Sequence, residues 1–130
     1  MATIQWYPGH MNKARNQLED KLNLIDVLVE VLDARIPESS RNPMIEELVG
    51  NKTHIIILNK ADLADPILTK KWAEKFSGPD KYVLALDSLH NTNMQKLISL
   101  VKKAASDKTK KLEARGASNP TIRIALAGIP

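Results

Sequence analysis

The residues best suited to chemistry stand in one short segment, NKAD at 59–62, directly after the apolar run HIIIL at 54–58. An ionised Asp62 can accept two adjacent hydrogen bonds, and guanine presents such a pair in its N1–H and 2-amino groups, whereas adenine does not. Lys60 can lay its aliphatic stem over a purine ring, and Asn59 can bond the base or tie neighbouring loops together. The alternative is a turn in which the Asn and Asp side chains bond nearby backbone groups.

Apolar patterns place this segment among alternating strands and helices. Four runs predict strands: 26–34 (DVLVEVLDA), 54–58 (HIIIL), 82–86 (YVLAL) and 121–128 (TIRIALAG). Four helices are predicted: one starting just after Pro8-Gly9, a short one closed by Gly50 after a polar loop, one capped by Asp65-Pro66, and a long one after Asn91–Asn93.

The helix spacings also predict which side chains face the core. On the helix after Asp65 the predicted buried residues are Leu68, Trp72 and Phe76, and on the long helix they are Met94, Leu97, Ile98, Val101 and Ala105. Strands joined through helices need crossover connections, so we expect an α/β fold with a mostly parallel sheet flanked by helices. Ligands of such sheets bind beyond the carboxyl ends of the strands, which is where NKAD stands.

Composition narrows the class of protein. With 130 residues, 43% of them hydrophobic, the chain has the size of one domain. It has neither an apolar run of membrane-spanning length nor a signal peptide, so we expect a cytoplasmic protein with no membrane partner. With no cysteine and three scattered histidines, no metal site is expected within the chain. The net charge of +4 permits a nucleic-acid partner without requiring one.

Several motifs resemble those of a known family. NKADL after an apolar strand resembles the fourth guanine-binding motif of P-loop GTPases, and LALDSL at 84–89 resembles a degenerate fifth motif. The segment TIRIALAGIP at 121–130 resembles the strand that leads into the phosphate-binding loop, although that loop normally precedes the other two motifs. Together with WYPGHMNKA at 6–14 and DARIPESSRNP at 33–43, the order resembles that of the circularly permuted ribosome biogenesis GTPase A family.

The resemblance implies a GTP-binding and GTP-hydrolysing factor that assists assembly of the large ribosomal subunit and contacts rRNA. It implies GTP or GDP with Mg²⁺ as ligands, and a nucleotide site that includes Asn59, Lys60, Asp62, Ser88 and Gly128. The turn at Ser88 would offer a backbone N–H to guanine O6. His10 would orient the attacking water, although a lone histidine at a helix start is also typical of a cap or a surface residue. His54 starts a strand and His90 lies in a polar loop, so neither is given a functional role, and the sequence names no partner for either.

The resemblance also implies that residues 1–130 form a partial, circularly permuted GTPase domain of about four strands. The phosphate-binding loop needs G-x-x-x-x-G-K-S/T, of which the sequence holds only Gly128, Ile129 and Pro130. The rest of the domain, the phosphate and Mg²⁺ ligands and a carboxyl-terminal RNA-binding domain are then expected beyond residue 130. The 130 residues alone are expected to be inactive and to bind nucleotide very weakly.

The family's fold also predicts the order of the strands. The last strand should lie beside the first, with the second and third following outward. An apolar edge strand without an outer neighbour favours pairing with another chain. We therefore expect self-association through 121–128.

The alternative function is a non-catalytic module that binds RNA or the ribosome. The long helix and its end carry seven cations: Lys96, Lys102, Lys103, Lys108, Lys110, Lys111 and Arg115. They suit phosphate contacts or a solvated helix face. Arg35 and Arg41 lie in the DARIPESSRNP loop. They could contact RNA or nucleotide, or they could be solvated or hold the helix that follows. In this alternative NKAD is a turn or a relic.

Overall fold

The computed structural model describes residues 9–50, 52–87, 89–91 and 93–128, without the side chains of residues 9–12 and 14. In chain order the elements are α1 (Gly9–Leu22), β1 (Val27–Asp33), α2 (Pro37–Ser40), α3 (Pro43–Leu48), β2 (Thr53–Asn59), a 3₁₀ turn (Ala61–Leu63), α4 (Pro66–Phe76), β3 (Lys81–Ala85), α5 (Met94–Ala114) and β4 (Ile124–Gly128). Each predicted strand and helix is present, and the short α2 within the polar loop was not predicted.

The four described strands form one parallel sheet in the order β3-β2-β1-β4. This confirms the predicted fold class and the placement of the last strand beside the first. Asp33 lies opposite Asn59 in the register of β1 and β2, and Val31 lies opposite Gly128 in that of β1 and β4. The carboxyl ends of these strands are therefore close together.

Helix α5 covers one face of the sheet. Its buried residue Ala104 joins the core formed by alternate residues of β1 and β2, with Leu97, Leu100 and Val101 packed beside it. The prediction was wrong for Ile98, which is 41% exposed. The stripe that faces the sheet runs through 97, 101 and 104, and Ile98 lies about 100° away from Leu97 around the helix axis.

The opposite face of the sheet packs against α1, α3 and α4. Asp65 caps α4 as predicted, since its carboxylate accepts hydrogen bonds from the N–H groups of Ile67 at 2.8 Å and Leu68 at 3.3 Å. Phe76 is buried and stacks on Trp72, but Leu68 is 53% exposed, contrary to prediction. The stripe that faces the sheet contains Thr69 instead, one residue further round the helix.

Two buried polar side chains meet on this second face. Glu30 and His54 are 2% and 0% exposed, and the glutamate Oε1 lies 2.9 Å from the histidine Nε2. No partner could be named for His54 from the sequence, and the structure shows that Glu30 is one. Its Nδ1 is also buried and has no hydrogen-bond partner among the residues that the structure describes. Each of these two side chains therefore needs the other as its hydrogen-bond partner in the core, because an unpaired buried polar group is costly.

Strand β4 lies at one edge of the described sheet. Ala125 and Ala127 pack against the α1 and α3 side, whereas Ile124 and Leu126 are 44% and 74% exposed. None of the described helices is long and apolar enough to cross a membrane.

Gly128 ends β4 in a conformation that other residues rarely adopt. Its φ is +135°, and an added Cβ would lie 2.3 Å from the carbonyl oxygen of Val31 and 2.9 Å from its nitrogen. Gly128→Ala is expected to lower the free energy of unfolding by about 2 kcal/mol through backbone strain and displacement of β4. Urea denaturation of the chain measures this. Gly78→Ala is the control, because nothing lies within 4 Å of its added Cβ, and equal losses in the two variants would contradict the prediction.

Candidate functional site

The NKAD segment turns sharply at the carboxyl end of β2. Lys60 adopts a left-handed conformation with φ of 60°, and the N–H of Ala61 donates to the carbonyl oxygen of Leu86 at 3.1 Å. The turn Ala61–Leu63 then presents Asp62 beyond the strand ends. Among the described residues, no backbone N–H donates to the Asp62 carboxylate, which is 35% exposed. Within the described residues, Asp62 therefore shows none of the local backbone bonding that the turn alternative requires.

A second carboxylate, Asp33, stands beside this segment at the end of β1. It accepts two hydrogen bonds from the Arg35 guanidinium, at 3.0 and 2.7 Å, and one from the Arg35 backbone N–H at 2.9 Å. The Lys60 ammonium lies 3.8 Å from the same carboxylate. The side-chain hydrogen bonds from Arg35, assisted by the charges of Arg35 and Lys60, lower the pKa of Asp33 to about 2. Asp33 thus fixes Arg35 and attracts Lys60.

Asp33→Asn is expected to destabilise the chain at neutral pH and to change its acid sensitivity. Because the folded pKa lies below the unfolded one, the stabilisation is present above about pH 4 and is lost as the pH falls toward 2. The loss at pH 7 should be about 1–2 kcal/mol, since Arg35 is partly exposed. Urea denaturation at several pH values measures it, with the exposed Asp107→Asn as control. A Asp33→Asn variant as stable as the control at pH 7 would contradict this account.

The loop after β1 is folded against the same edge. The N–H of Ala34 donates to the carbonyl oxygen of Asn59 at 2.8 Å, and the Ser40 hydroxyl accepts from the N–H of Asp33 at 3.1 Å. Arg41 forms ion pairs with Glu38 at 3.2 Å and Glu46 at 3.1 Å. It also lies over the ring of Phe76, 5.2 Å from the centroid. For Arg41 these contacts favour the structural interpretation over contact with RNA.

The loop after β3 brings a histidine to the site. Asp87 is buried and accepts hydrogen bonds from the His90 backbone N–H, at 3.2 Å, and from His90 Nδ1. The same Nδ1 lies 3.8 Å from Asp62 Oδ2. Asn93 has a left-handed backbone, and its side chain donates to the carbonyl oxygen of Ala85 at 2.8 Å. This hydrogen bond anchors the loop, and the Asn93 side chain does not cap α5. No partner could be named for His90 from the sequence, and the structure shows that Asp87 is one.

These contacts shift the titration of both partners. The hydrogen bond and charge of Asp87, with a smaller contribution from Asp62, raise the pKa of His90. Burial by itself would raise the pKa of Asp87, but the hydrogen bonds and charge of His90 outweigh it and lower that pKa. The cationic form of His90 is therefore favoured beside Asp62.

The predicted site residues fall into two groups, those at the carboxyl edge of the sheet and those outside the described residues. Asn59, Lys60 and Asp62 lie together at the carboxyl edge of the sheet, and Gly128 lies at the same edge beside Val31. Ser88 lies outside the described residues, as does the side chain of His10, whose backbone belongs to the first turn of α1. The sequence interpretation missed Asp33 and Asp87. An acidic residue directly after an apolar run, as in VLD at 31–33 and LALD at 84–87, was the available signal.

A parallel α/β sheet with NKAD at its carboxyl edge defines the class, that of a partial P-loop GTPase-like fold. No family model matches the chain. It is 46% identical over 129 residues to ribosome biogenesis GTPase A of Priestia megaterium, and 46% identical over 128 residues to the protein of that name from Bacillus pumilus. Each alignment covers 98% of this chain and 45% of the relative. These relatives confirm the resemblance to the ribosome biogenesis GTPase A family.

A third relative carries a related name. Mitochondrial ribosome-associated GTPase 1 of Xenopus tropicalis is 54% identical over 66 residues, which are 51% of this chain and 21% of that protein. The chain spans about half the length of the bacterial relatives that it matches.

Proposed function

We propose that the full-length protein containing this chain binds GTP and GDP, hydrolyses GTP with Mg²⁺, and assists assembly of the large ribosomal subunit in the cytoplasm. The names of the relatives support the GTPase and ribosome parts of this proposal. The observation that carries it is the Asp62 carboxylate at the carboxyl edge of the sheet, with no backbone donor among the described residues. Its two oxygens can accept from guanine N1–H and the 2-amino group.

The neighbouring residues support a purine site. Lys60 is attracted to Asp33, 3.8 Å away, which limits where its stem can lie and favours a position over a ring bound at Asp62. Asn59 ends β2 between the two loops, where it suits the connecting role that the family motif implies. Ser88 and His10 keep their proposed roles, one offering a backbone N–H to guanine O6 and the other orienting water.

Phosphate binding is proposed to begin at Gly128. A phosphate-binding loop needs several backbone N–H groups, a lysine and a Ser/Thr for Mg²⁺, and no G-x-x-x-x-G-K-S/T sequence occurs within the 130 residues. We therefore expect the 130 residues alone to bind GDP very weakly. A low-micromolar dissociation constant from calorimetry would contradict this.

Two further partners are proposed. The exposed lysines of α5, among them Lys96, Lys103 and Lys111, suit contact with rRNA phosphates, an attraction that falls with salt and carries no sequence information. The exposed Ile124 and Leu126 favour self-association of the 130-residue chain through β4. Monomeric behaviour in light scattering at high concentration would contradict the proposed self-association.

The experiment that tests the function is phosphate release by the full-length protein, measured with GTP and with ATP, alone and with purified ribosomal subunits. We expect release from GTP only, and faster release with large subunits than with small ones. Release from ATP at the same rate would contradict base recognition through Asp62. Binding to subunits with no hydrolysis of either nucleotide would favour the non-catalytic module.

A further inference from the structure

Two titratable side chains beside Asp62, those of Asp87 and His90, have no part in the function as proposed so far. Asp62 follows β2, whereas Asp87 and His90 follow β3, the neighbouring strand. His90 Nδ1 is hydrogen-bonded to Asp87 and lies 3.8 Å from Asp62 Oδ2. Asp87 is 6% exposed, whereas the His90 side chain is 62% exposed. A buried carboxylate thus holds an accessible imidazole beside the carboxylate proposed to bind the base.

Asp87 determines which ring nitrogen changes when His90 titrates. A carboxylate acceptor keeps the proton on Nδ1, so protonation of the ring converts Nε2 from an acceptor into a donor. Among the residues that the structure describes, the charged groups that act on this imidazole are Asp87 in its own loop and Asp62 in the 3₁₀ turn. Both carry a negative charge, and both therefore favour the protonated imidazole, in which each nitrogen is a hydrogen-bond donor.

The edge of guanine matches that arrangement. Its O6 acceptor is adjacent to N1, so a group that reads O6 must lie close to the carboxylate that accepts from N1–H. Adenine presents an amino donor in the place of O6, which an imidazolium donor would not accommodate. A cationic His90 beside Asp62 therefore has the chemistry and the proximity to favour guanine.

We propose that His90 is a second specificity residue of the base site. Its imidazolium Nε2–H donates to guanine O6, while Asp62 accepts from guanine N1–H and the 2-amino group. The inference rests on the proposed nucleotide function. Because donation needs the protonated ring, bound guanine raises the pKa of His90 further. GDP affinity is then highest at low pH and falls as the pH rises through that pKa.

The test compares GDP binding by the full-length protein with binding by His90→Ala and His90→Lys, by calorimetry at pH 6 and pH 8. His90→Lys keeps a cationic donor at both pH values. The pH dependence of its GDP affinity therefore reports the titration of the phosphates alone. The unaltered protein should lose about tenfold more affinity than His90→Lys between these pH values, the size expected for a hydrogen bond to a charged group. His90→Ala should bind GDP about tenfold more weakly than the unaltered protein at pH 6, with no additional pH dependence.

NMR titration of the His90 ring provides an independent readout. Its pKa should rise when GDP is added and stay constant when ADP is added. If His90→Ala binds GDP with the affinity and pH profile of the unaltered protein, the role of His90 is refuted and guanine recognition by Asp62 still stands. ADP binding by the unaltered protein is measured in the same way. If its affinity for ADP equals its affinity for GDP at both pH values, the proposed function fails and this inference fails with it.

Discussion

Asp62→Asn in the full-length protein is expected to convert a guanine-nucleotide site into one that prefers xanthine nucleotides. The carboxylate offers two acceptors, whereas the amide offers one acceptor and one donor. Guanine would then place its 2-amino group against an N–H₂ donor, whereas xanthine has a carbonyl oxygen there and matches. Loss of a paired charged acceptor should weaken GDP binding by about 10²–10³-fold, and XDP should bind more tightly than GDP. Calorimetry with the two diphosphates measures both affinities.

Asp65→Asn is the matched control for this change. Asp65 lies three residues further along, and its side chain caps α4 through Ile67 and Leu68. Asparagine caps a helix about as well as aspartate, so the fold and GDP affinity should be unaffected. A Asp62→Asn protein that still prefers GDP to XDP would show that the carboxylate does not read the base, and would favour the RNA-binding module.

His54→Leu is expected to have the largest effect on stability. It removes the partner of Glu30, which is 2% exposed, and leaves a buried carboxylate without its hydrogen bond. Breaking a buried pair in this way costs about 3–5 kcal/mol in the free energy of unfolding. Combining it with Glu30→Leu removes both polar groups, and an apolar pair of similar volume is often neutral. The double variant should therefore recover about 2 kcal/mol or more relative to His54→Leu.

Urea denaturation of the four proteins in this cycle gives the coupling free energy directly. Glu74→Leu, at an exposed position of α4, is the control for the chemical change and should alter stability by less than about 0.5 kcal/mol. Additive losses for His54→Leu and Glu30→Leu would contradict the account, because they would show that the two side chains do not depend on each other.

Much of the fold could be predicted from local patterns. The runs that became β1 and β2 are nearly continuous in Val, Ile and Leu, which is typical of strands buried on both faces. Asp65 followed by Pro66 predicted the start of α4 because a cap depends only on adjacent residues. The order of the strands came from the family resemblance, since no local pattern specifies which strands are neighbours.

Contacts between distant residues could not be predicted in the same way. Periodicity put Leu68 and Ile98 on helix faces that border the buried stripes, and only the packed sheet decides which stripe faces inward. Glu30 and His54 are 24 residues apart, and their pairing depends on the register that places Leu28 opposite His54. The His90 pair with Asp87 depends on a turn whose shape involves left-handed residues such as Asn91 and Asn93.

In the candidate site, too, features set by adjacent residues could be predicted and contacts between distant residues could not. Asp62 was identified because its motif is continuous in sequence, whereas Asp33 belongs to another strand and approaches Lys60 only through the β1 and β2 pairing. A single carboxylate after a strand is common, so it predicts no particular partner.

The most direct measurement of the central claim is the affinity of the unaltered full-length protein for GDP, IDP and ADP at one pH and salt concentration. IDP lacks only the 2-amino group and therefore loses one hydrogen bond to the Asp62 carboxylate. Its affinity should be lower than that of GDP by a factor of about ten or more. ADP should bind more weakly still, by about 10³-fold or more, because it offers neither donor at the required places. Equal affinities for GDP and IDP would contradict recognition of the base by Asp62.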